Sequence, residues 1–250
     1  MDDAGGPRGG GTAVARIAAA LREEILLGRA TPGQALREEA LAERFGASRH
    51  TVRTALARLG ATGLVRSEPY RGTAVTSFDV EQAVALQDLR RALECEAVEV
   101  LVRRHPDGWP PEVLAPLEAC VAELAAAERA AGDRPADPAD HAAPADRADP
   151  ADRDDATAWR AVERAHSALH RALVAAAGSP RITAAHEQIA DEMDLLLLHA
   201  RHVYRPGELA AQHAALLADL PVRGAAAVRE HLDDTVVRLA AGAGGGPGRA

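Results

Sequence analysis

One segment of forty residues, from Leu36 to Val75, constrains the fold more than any other part of the chain. It contains two short stretches with apolar residues at helical spacing, followed by two short stretches that favour strands. Gly46 interrupts the helical pattern where a sharp turn is needed, and Ser48 follows as a good N-cap for the next helix. This order of helix, turn, helix and hairpin predicts a winged helix-turn-helix domain.

The helices of this domain are predicted from apolar spacing. Leu36, Leu41 and Phe45 fall at helical spacing before the glycine, so we expect them to share one helix. In the next helix the apolar stripe recurs at steps of four and three residues, and its members should face the core. The stripe consists of Val52, Leu56 and Leu59, and an earlier amphipathic helix carries Val14, Ile17, Leu21 and Ile25.

The positions off this stripe are polar or basic at the start of the second helix. A recognition helix contacts base edges and phosphates from that position. At the tip of the hairpin, an arginine and a glycine are placed to approach the minor groove or the DNA backbone. The residues expected to contact DNA are Arg37, Ser48, Arg49, His50, Thr51, Arg53, Arg71 and Gly72.

Charge divides the chain at the end of this domain. Residues 1–78 carry 11 arginines and 8 acidic residues, a net charge of +3, whereas the remainder has a net charge of −11. The arginines could simply be the solvated surface of a small helical domain. A basic head on an acidic body is instead typical of a DNA-binding module attached to a domain that does not bind DNA.

Two stretches carry a resemblance to a known family. The segment LAERFGASRHTVRTALARLGATGLV, followed by YRGTAV, resembles the N-terminal domain of the GntR family of bacterial transcription regulators. The stretch LQDLRRALECEAV, from Leu86 to Val98, is similar to the first helix of the FCD effector domain of the FadR-type branch. The resemblance implies a metabolite-responsive repressor. Because one head offers few contacts, we expect a homodimer that binds a palindromic operator.

Composition and breaks in pattern predict a mainly α fold with two domains. The winged helix-turn-helix should occupy residues 12–78, and an all-α bundle of about six helices should occupy residues 79–241. Aromatic residues make up only 2% of the chain, so alanine, leucine and valine must pack the bundle. No stretch is long and apolar enough to span a membrane, and we expect a cytoplasmic, nucleoid-associated protein. Three segments are expected to be disordered or flexible: 1–11, 132–155 and 242–250.

Four histidines of the predicted bundle form a candidate metal site. His166 and His170 are four residues apart, which places both on one face of one helix. His213 and His231 lie on later helices, and a bundle can bring such side chains to one interior point. A polar pocket without metal, or scattered histidines, would fit the same residues.

The FCD resemblance supports a metal site at these four histidines. Many FCD domains have an Asp-x-x-x-His pair, a histidine on a later helix and another near the last helix. His170, His213 and His231 match the three histidines, whereas His166 stands where the family has the aspartate. Four nitrogen ligands favour Zn²⁺, Ni²⁺ or Cu²⁺ over harder ions, so we expect a divalent zinc or nickel ion.

Arg90 is the candidate effector-binding residue. It matches an arginine that in FCD domains often grips a carboxylate ligand, and a metal with an open position would bind the same small organic acid at a second point. The alternative is that Arg90 pairs with Glu94, four residues later, on the surface of the helix.

Two other functions fit parts of the sequence. A metal-free regulator could bind an acyl-coenzyme A thioester, as one FCD-like branch does. A metal-dependent enzyme could use Glu163, one turn before His166, as a general base. No carboxylate is otherwise placed beside the histidines for that role, and we do not expect an enzyme.

Overall fold

The computed structural model describes residues 8–68, 70–132 and 150–244. The backbone divides into two compact units, residues 1–77 and 78–250. The first is a winged helix-turn-helix and the second is an all-α bundle, which confirms the predicted fold class. No helix among the described residues is both long enough and apolar enough to cross a membrane.

The first unit, here called the head, contains three helices and a two-stranded antiparallel wing. Its core is formed by apolar residues at the predicted helical spacings, including Ile17, Leu41 and Val52, all of which are buried. Val65 pairs with Val75 at the base of the wing. The elements are α1 (Arg8–Leu26), α2 (Glu38–Phe45), α3 (Arg49–Ala61), β1 (Val65–Glu68) and β2 (Gly72–Val75).

The turn between α2 and α3 follows the sequence closely. Gly46 adopts the left-handed conformation, with φ 58° and ψ 39°, and its backbone N–H bonds to carbonyl groups in the last turn of α2. Ser48 caps α3, because its Oγ accepts a hydrogen bond from the backbone N–H of Thr51 at 3.1 Å.

The prediction that Leu36 belongs to α2 is wrong. The helix begins at Glu38, and the backbone N–H of Leu36 donates to the carbonyl oxygen of Thr73 at 2.8 Å. The preceding residue, Ala35, forms a β-bridge with Ala74 of the wing. Leu36 is therefore extended and buried beside the wing, where its apolar side chain still contributes to the core.

The second unit is a bundle whose first helix begins with a capping box. The Asp79 side chain accepts from the backbone N–H of Gln82, and the Gln82 side chain accepts from the backbone N–H of Asp79. A short 3₁₀ turn at Arg201–Val203 follows the fourth helix of the unit. The helices are α4 (Val80–Arg104), α5 (Pro111–Ala131), α6 (Pro150–Ala176), α7 (Pro180–Ala200), α8 (Glu208–Arg223) and α9 (Ala225–Gly244).

Helices extend into all three segments that were expected to be disordered. Proline is compatible with the first turn of a helix, so Pro150 begins α6 inside the second segment. Gly9, Gly10 and Gly11 are part of α1, and Gly242 and Gly244 are part of α9. The helical overlaps are residues 8–11, 150–155 and 242–244; residues 1–7, 133–149 and 245–250 lie outside the described residues.

Candidate functional site

The outer side of α3 carries the side chains expected to read DNA. Arg49, His50 and Arg53 are exposed, whereas the apolar stripe of the same helix is buried. Thr51 is half-buried, and its Oγ1 lies 2.8 Å from the Oγ of Ser48, so both hydroxyls take part in the cap of α3. Arg37, Arg71 and Gly72 are exposed as well.

Three of the expected DNA contacts are arginines paired with glutamates. DNA phosphates would have to compete with these carboxylates for the guanidinium groups. The pKa of Glu38 is lowered, chiefly by its hydrogen bond from Arg53, so this glutamate is ionised at neutral pH. The pairs are Arg53 Nη2–Glu38 Oε2 at 2.7 Å, Arg49 Nη1–Glu39 Oε1 at 2.7 Å and Arg71 Nη1–Glu68 Oε2 at 3.2 Å.

The tip of the wing presents an aromatic side chain that sequence reasoning did not select. Tyr70 is fully exposed and has a backbone φ of 67°, a value that residues other than glycine rarely adopt. It stands next to Arg71 in the chain, and Gly72 follows with φ 84°. The sequence signal that could have selected it is a tyrosine between the turn-forming Pro69 and Gly72 at the expected tip of the wing.

Three of the four predicted metal ligands converge in the interior of the second unit. His166 and His170 lie on α6, and His213 lies on α8; all three are buried. One nitrogen from each ring lies within 4.8 Å of the others. His231 on α9 packs beside them, with its ring centroid 4.6 Å from that of His213.

Hydrogen bonds fix the orientation of two of these rings. His213 Nδ1 lies 2.6 Å from the carbonyl oxygen of Leu209, and His170 Nδ1 lies 3.0 Å from Glu94 Oε2. Because both partners are acceptors, each Nδ1 carries the proton and each Nε2 carries a lone pair. The two Nε2 atoms are 2.9 Å apart.

That arrangement fits a cation. Two lone pairs facing each other at this distance repel unless a positive charge lies between them. Two nitrogens bound about 2.0–2.1 Å from one tetrahedral Zn²⁺ lie about 3.3–3.4 Å apart, so a small outward shift of the two rings from 2.9 Å would accommodate the ion. An acceptor on the far nitrogen of each ligand histidine is the usual second layer of a protein metal site. The residues present therefore fit a bound divalent metal.

Glu94 organises this second layer and was missed as a functional residue. It is fully buried on α4 and accepts from Arg90 Nε at 2.7 Å, in addition to His170, while His186 Nε2 lies 3.3 Å from Oε1. The pair with Arg90 is thus buried, not on the helix surface as the alternative supposed. Its place on the stripe of α4 that also holds Ala97 and Leu101 could have revealed it.

The surroundings keep the histidines neutral. Burial, reinforced by Arg90 and partly opposed by Glu94, lowers the pKa of His170 to about 4 and that of His231 to about 3. Burial and the adjacent rings hold the pKa values of His166 and His213 well below their usual range. Neutral imidazole is the form that binds a metal ion. For Glu94, burial alone would raise the pKa, but Arg90 and the histidine hydrogen bonds hold it well below its usual range.

Arg90 and the histidines line one cavity, here called the inner cavity. Arg90 is 4% exposed, and its Nη2 has no hydrogen-bond partner among the described residues. Oε1 of Gln87 is likewise buried without a partner. The lining includes Gln87, Arg90, His166, Tyr204, His213 and His231.

Comparison with protein families agrees with this architecture. The profile of the family described as bacterial regulatory proteins, gntR family, matches residues 13–75. The profile of the FCD domain matches residues 85–238, more than half of the chain. The chain belongs to the GntR family, in its FCD branch.

Several relatives of this GntR chain are named as HTH-type transcriptional regulators. It is 37% identical over 94 residues to the uncharacterized regulator BphR of Paraburkholderia xenovorans, an alignment that covers 38% of each protein. It is 35% identical over 75 residues to the repressor RspR of Escherichia coli, covering 30% of this chain and 33% of RspR. The chain thus matches well under half the length of these relatives.

Solved GntR structures share the fold. A transcriptional regulator from Rhodococcus sp. RHA1 superposes with a TM-score of 0.68 and 22% identity, covering 92% of this chain and 98% of that one. Escherichia coli McbR/YncC gives a TM-score of 0.60 and 20% identity, covering 92% and 98%. These similarities concern the fold alone.

Family membership also decides the enzyme alternative. GntR proteins with an FCD domain are transcriptional regulators and not enzymes, as expected from the sequence. Glu163, the candidate base, is fully buried and paired with Arg160 at 3.3 Å. Burial raises its pKa well above the usual range. The side chain is held inside the GntR bundle by a second arginine–carboxylate group that includes Asp194, 3.4 Å from Arg160.

Proposed function

We propose that this GntR protein is a DNA-binding transcriptional repressor whose FCD domain binds a small organic acid through a divalent metal and Arg90. It acts in the cytoplasm as a homodimer on a palindromic operator. Binding of the acid changes the relative placement of the two heads and weakens operator binding.

The observation that carries the proposal is the convergence of Arg90 with the histidines on the inner cavity. A guanidinium whose Nη2 has no partner among the described residues is placed to bind a carboxylate. His166, His170 and His213 would hold the ion, with His231 beside them. The metal would supply a second positive point for the same acid.

The DNA-reading role is supported by the exposed basic residues of α3 and the wing. The repressor assignment is supported by names alone: RspR and GlaR of Escherichia coli, both partial matches, are called transcriptional repressors. A dimer is supported by the geometry of helix-turn-helix recognition, in which two heads bind two half-sites one helical turn apart.

Metal analysis tests the site directly. Elemental analysis of the purified protein should find about one zinc or nickel ion per chain, and His170→Ala and His213→Ala should each lose it. His202→Ala is the matched control, since this histidine is exposed. Wild-type protein that stays free of metal after incubation with zinc and nickel would favour the metal-free acyl-coenzyme A regulator.

DNA selection tests the rest of the proposal. Duplexes recovered from random-sequence DNA should contain two inverted half-sites, and light scattering should give the mass of a dimer. An organic acid that stabilises the protein against heat should also release the selected duplex. Binding to single, unrepeated sites by a monomer would contradict the dimer.

A further inference from the structure

A second cavity lies next to the inner one and is not used by the proposed function so far. We call it the outer cavity. It lies between α5, the first turns of α6, the 3₁₀ turn and the segment before α8. Its lining includes Glu128, Trp159, Arg201, Tyr204, Arg205 and Pro206.

The outer cavity has the more exposed lining of the two. Every residue that lines the inner cavity is buried or half-buried. The outer cavity is also lined by Gly132, Arg205 and Pro206, which are exposed. Tyr204 is the only residue of the described chain that lines both. Tyr204 therefore stands between the more exposed cavity and the one that contains the histidines.

Tyr204 lies beside the turn of α9 that carries His231. Its hydroxyl faces Thr235, which also lines the inner cavity. The Thr235 Oγ1 donates to the backbone carbonyl oxygen of His231, one turn earlier in the same helix, at 3.1 Å. The hydroxyl is thus directed toward the inner side of the Tyr204 ring.

The outer cavity combines aromatic surface with a buried hydrogen-bond donor, as ligand-binding sites do. Trp159 and Tyr204 supply aromatic surface, which suits an apolar ligand body. Arg201 is only 7% exposed; its Nη2 lies 3.3 Å from Asp155, but its Nε has no hydrogen-bond partner among the described residues. A buried donor without a partner is costly, and a ligand oxygen would satisfy it.

We propose that the outer cavity is the entrance and the second half of the effector site, with Tyr204 as the movable partition. The effector is then an elongated acid. One carboxylate binds Arg90 in the inner cavity, an apolar body lies along Tyr204 and Trp159, and an oxygen at the far end accepts from Arg201. This inference rests on the proposed function, since it assumes an acid at Arg90.

A homologous series of probes tests it without knowledge of the natural effector. Unbranched dicarboxylic acids from malonate to sebacate are titrated into the full-length, metal-loaded protein by calorimetry. Once the chain extends past Tyr204, each added methylene should raise the affinity about fourfold until both arginines are spanned. Affinity that is flat or falls with length would overturn the proposal.

Variants separate the two halves of the site. Arg201→Met should lower the affinity only for acids long enough to span both arginines and leave the affinity for malonate and succinate unchanged, whereas Arg103→Met, on an exposed ion pair of α4, should change neither. Ala131→Trp should block the long acids by filling the outer cavity without altering any charge. Long acids that bind both variants as tightly as wild type would contradict the assignment.

Failure of the proposal is distinguishable from failure of the proposed function. If short acids bind and Arg90→Met abolishes their binding, while length has no effect, only the outer compartment is wrong. If no acid of any length binds, the carboxylate effector itself is wrong. Trp159 fluorescence in a Trp109→Phe background gives an independent readout, and quenching should occur only with acids long enough to pass Tyr204.

Discussion

Arg53 and Glu38 are joined at two points on the exposed face of the head: Nε lies 2.8 Å from Oε1, and Nη2 lies 2.7 Å from Oε2. The pair occupies the Nε edge of the guanidinium. Nη1 and the outer N–H of Nη2 lie away from the glutamate, and under the proposed function these two donors would match the acceptors of a guanine in the major groove. The glutamate orients the arginine and adds a negative charge to the proposed DNA-reading face.

Arg53→Ala should lower operator affinity about 5- to 150-fold, because a two-point contact with a base contributes about 1–3 kcal/mol of discrimination. Fluorescence anisotropy with the selected duplex measures the change. Arg58→Ala, an exposed arginine near the end of the same helix, should have a much smaller effect. Equal affinity of wild type and Arg53→Ala would show that α3 does not read the operator.

Glu38→Gln should strengthen binding to unrelated duplex DNA and weaken discrimination in favour of the operator. Removing the carboxylate frees Arg53 for phosphates, so the plot of log affinity against log salt concentration should steepen by about one. Glu43→Gln makes the same charge change on an exposed position of α2 and serves as the control. Identical behaviour of the two variants would rule out a special role for Glu38.

Glu94→Gln should weaken metal binding by about 10–100-fold although no ligand is removed, because His170 loses the carboxylate that orients it. Loss of the buried partner of Arg90 should also lower the free energy of unfolding by about 3–5 kcal/mol. Competition with a metal indicator and chemical denaturation measure the two effects. Glu96→Gln, which alters an exposed pair with Arg103, should change neither.

Removal of the metal should destabilise the FCD domain. An ion present at a hundred times its dissociation constant contributes about 2.7 kcal/mol. For a domain of this size, that corresponds to a fall of about 5–10 °C in Tm when a chelator is added. A protein lacking both His170 and His213 should melt at the same temperature with and without chelator. A chelator effect that survives in that variant would place the ion elsewhere.

Glu128→Ala should lower the free energy of unfolding by about 1–3 kcal/mol. The N-cap of α8 is Gly207, which has no side chain to offer, and Glu128 of α5 accepts from the backbone N–H groups of Leu209 and Ala210 at 3.3 and 2.8 Å. Urea denaturation measures the loss. Glu123→Ala, on an exposed face of α5, should stay within about 0.5 kcal/mol of wild type.

Local signals predicted the turn between α2 and α3. Gly46 and Ser48 mark the end of one helix and the start of the next because turns and caps act through neighbouring backbone groups. Leu36 was assigned to the wrong element, since apolar spacing alone cannot distinguish a first helical turn from an extended residue that packs on the same core.

The candidate site was only partly predictable. The spacing of His166 and His170 fixes their common face within one helix. Glu94 and Glu128 act on groups 76 and 82 residues away, and no local pattern reveals such partners. Sequence could place a carboxylate next to Arg90, but whether that pair is solvated or buried depends on how α4 packs against α6 and α7.

The buried lining of the inner cavity affects how long a bound ligand stays. Its lining side chains are buried or half-buried, so they obstruct the exit of a bound ligand. Its residence is set by how often the protein opens, and motions of loops and helices are far slower than molecular collisions. The response to a falling ligand concentration would then lag behind the concentration itself, and the regulator would average over brief fluctuations.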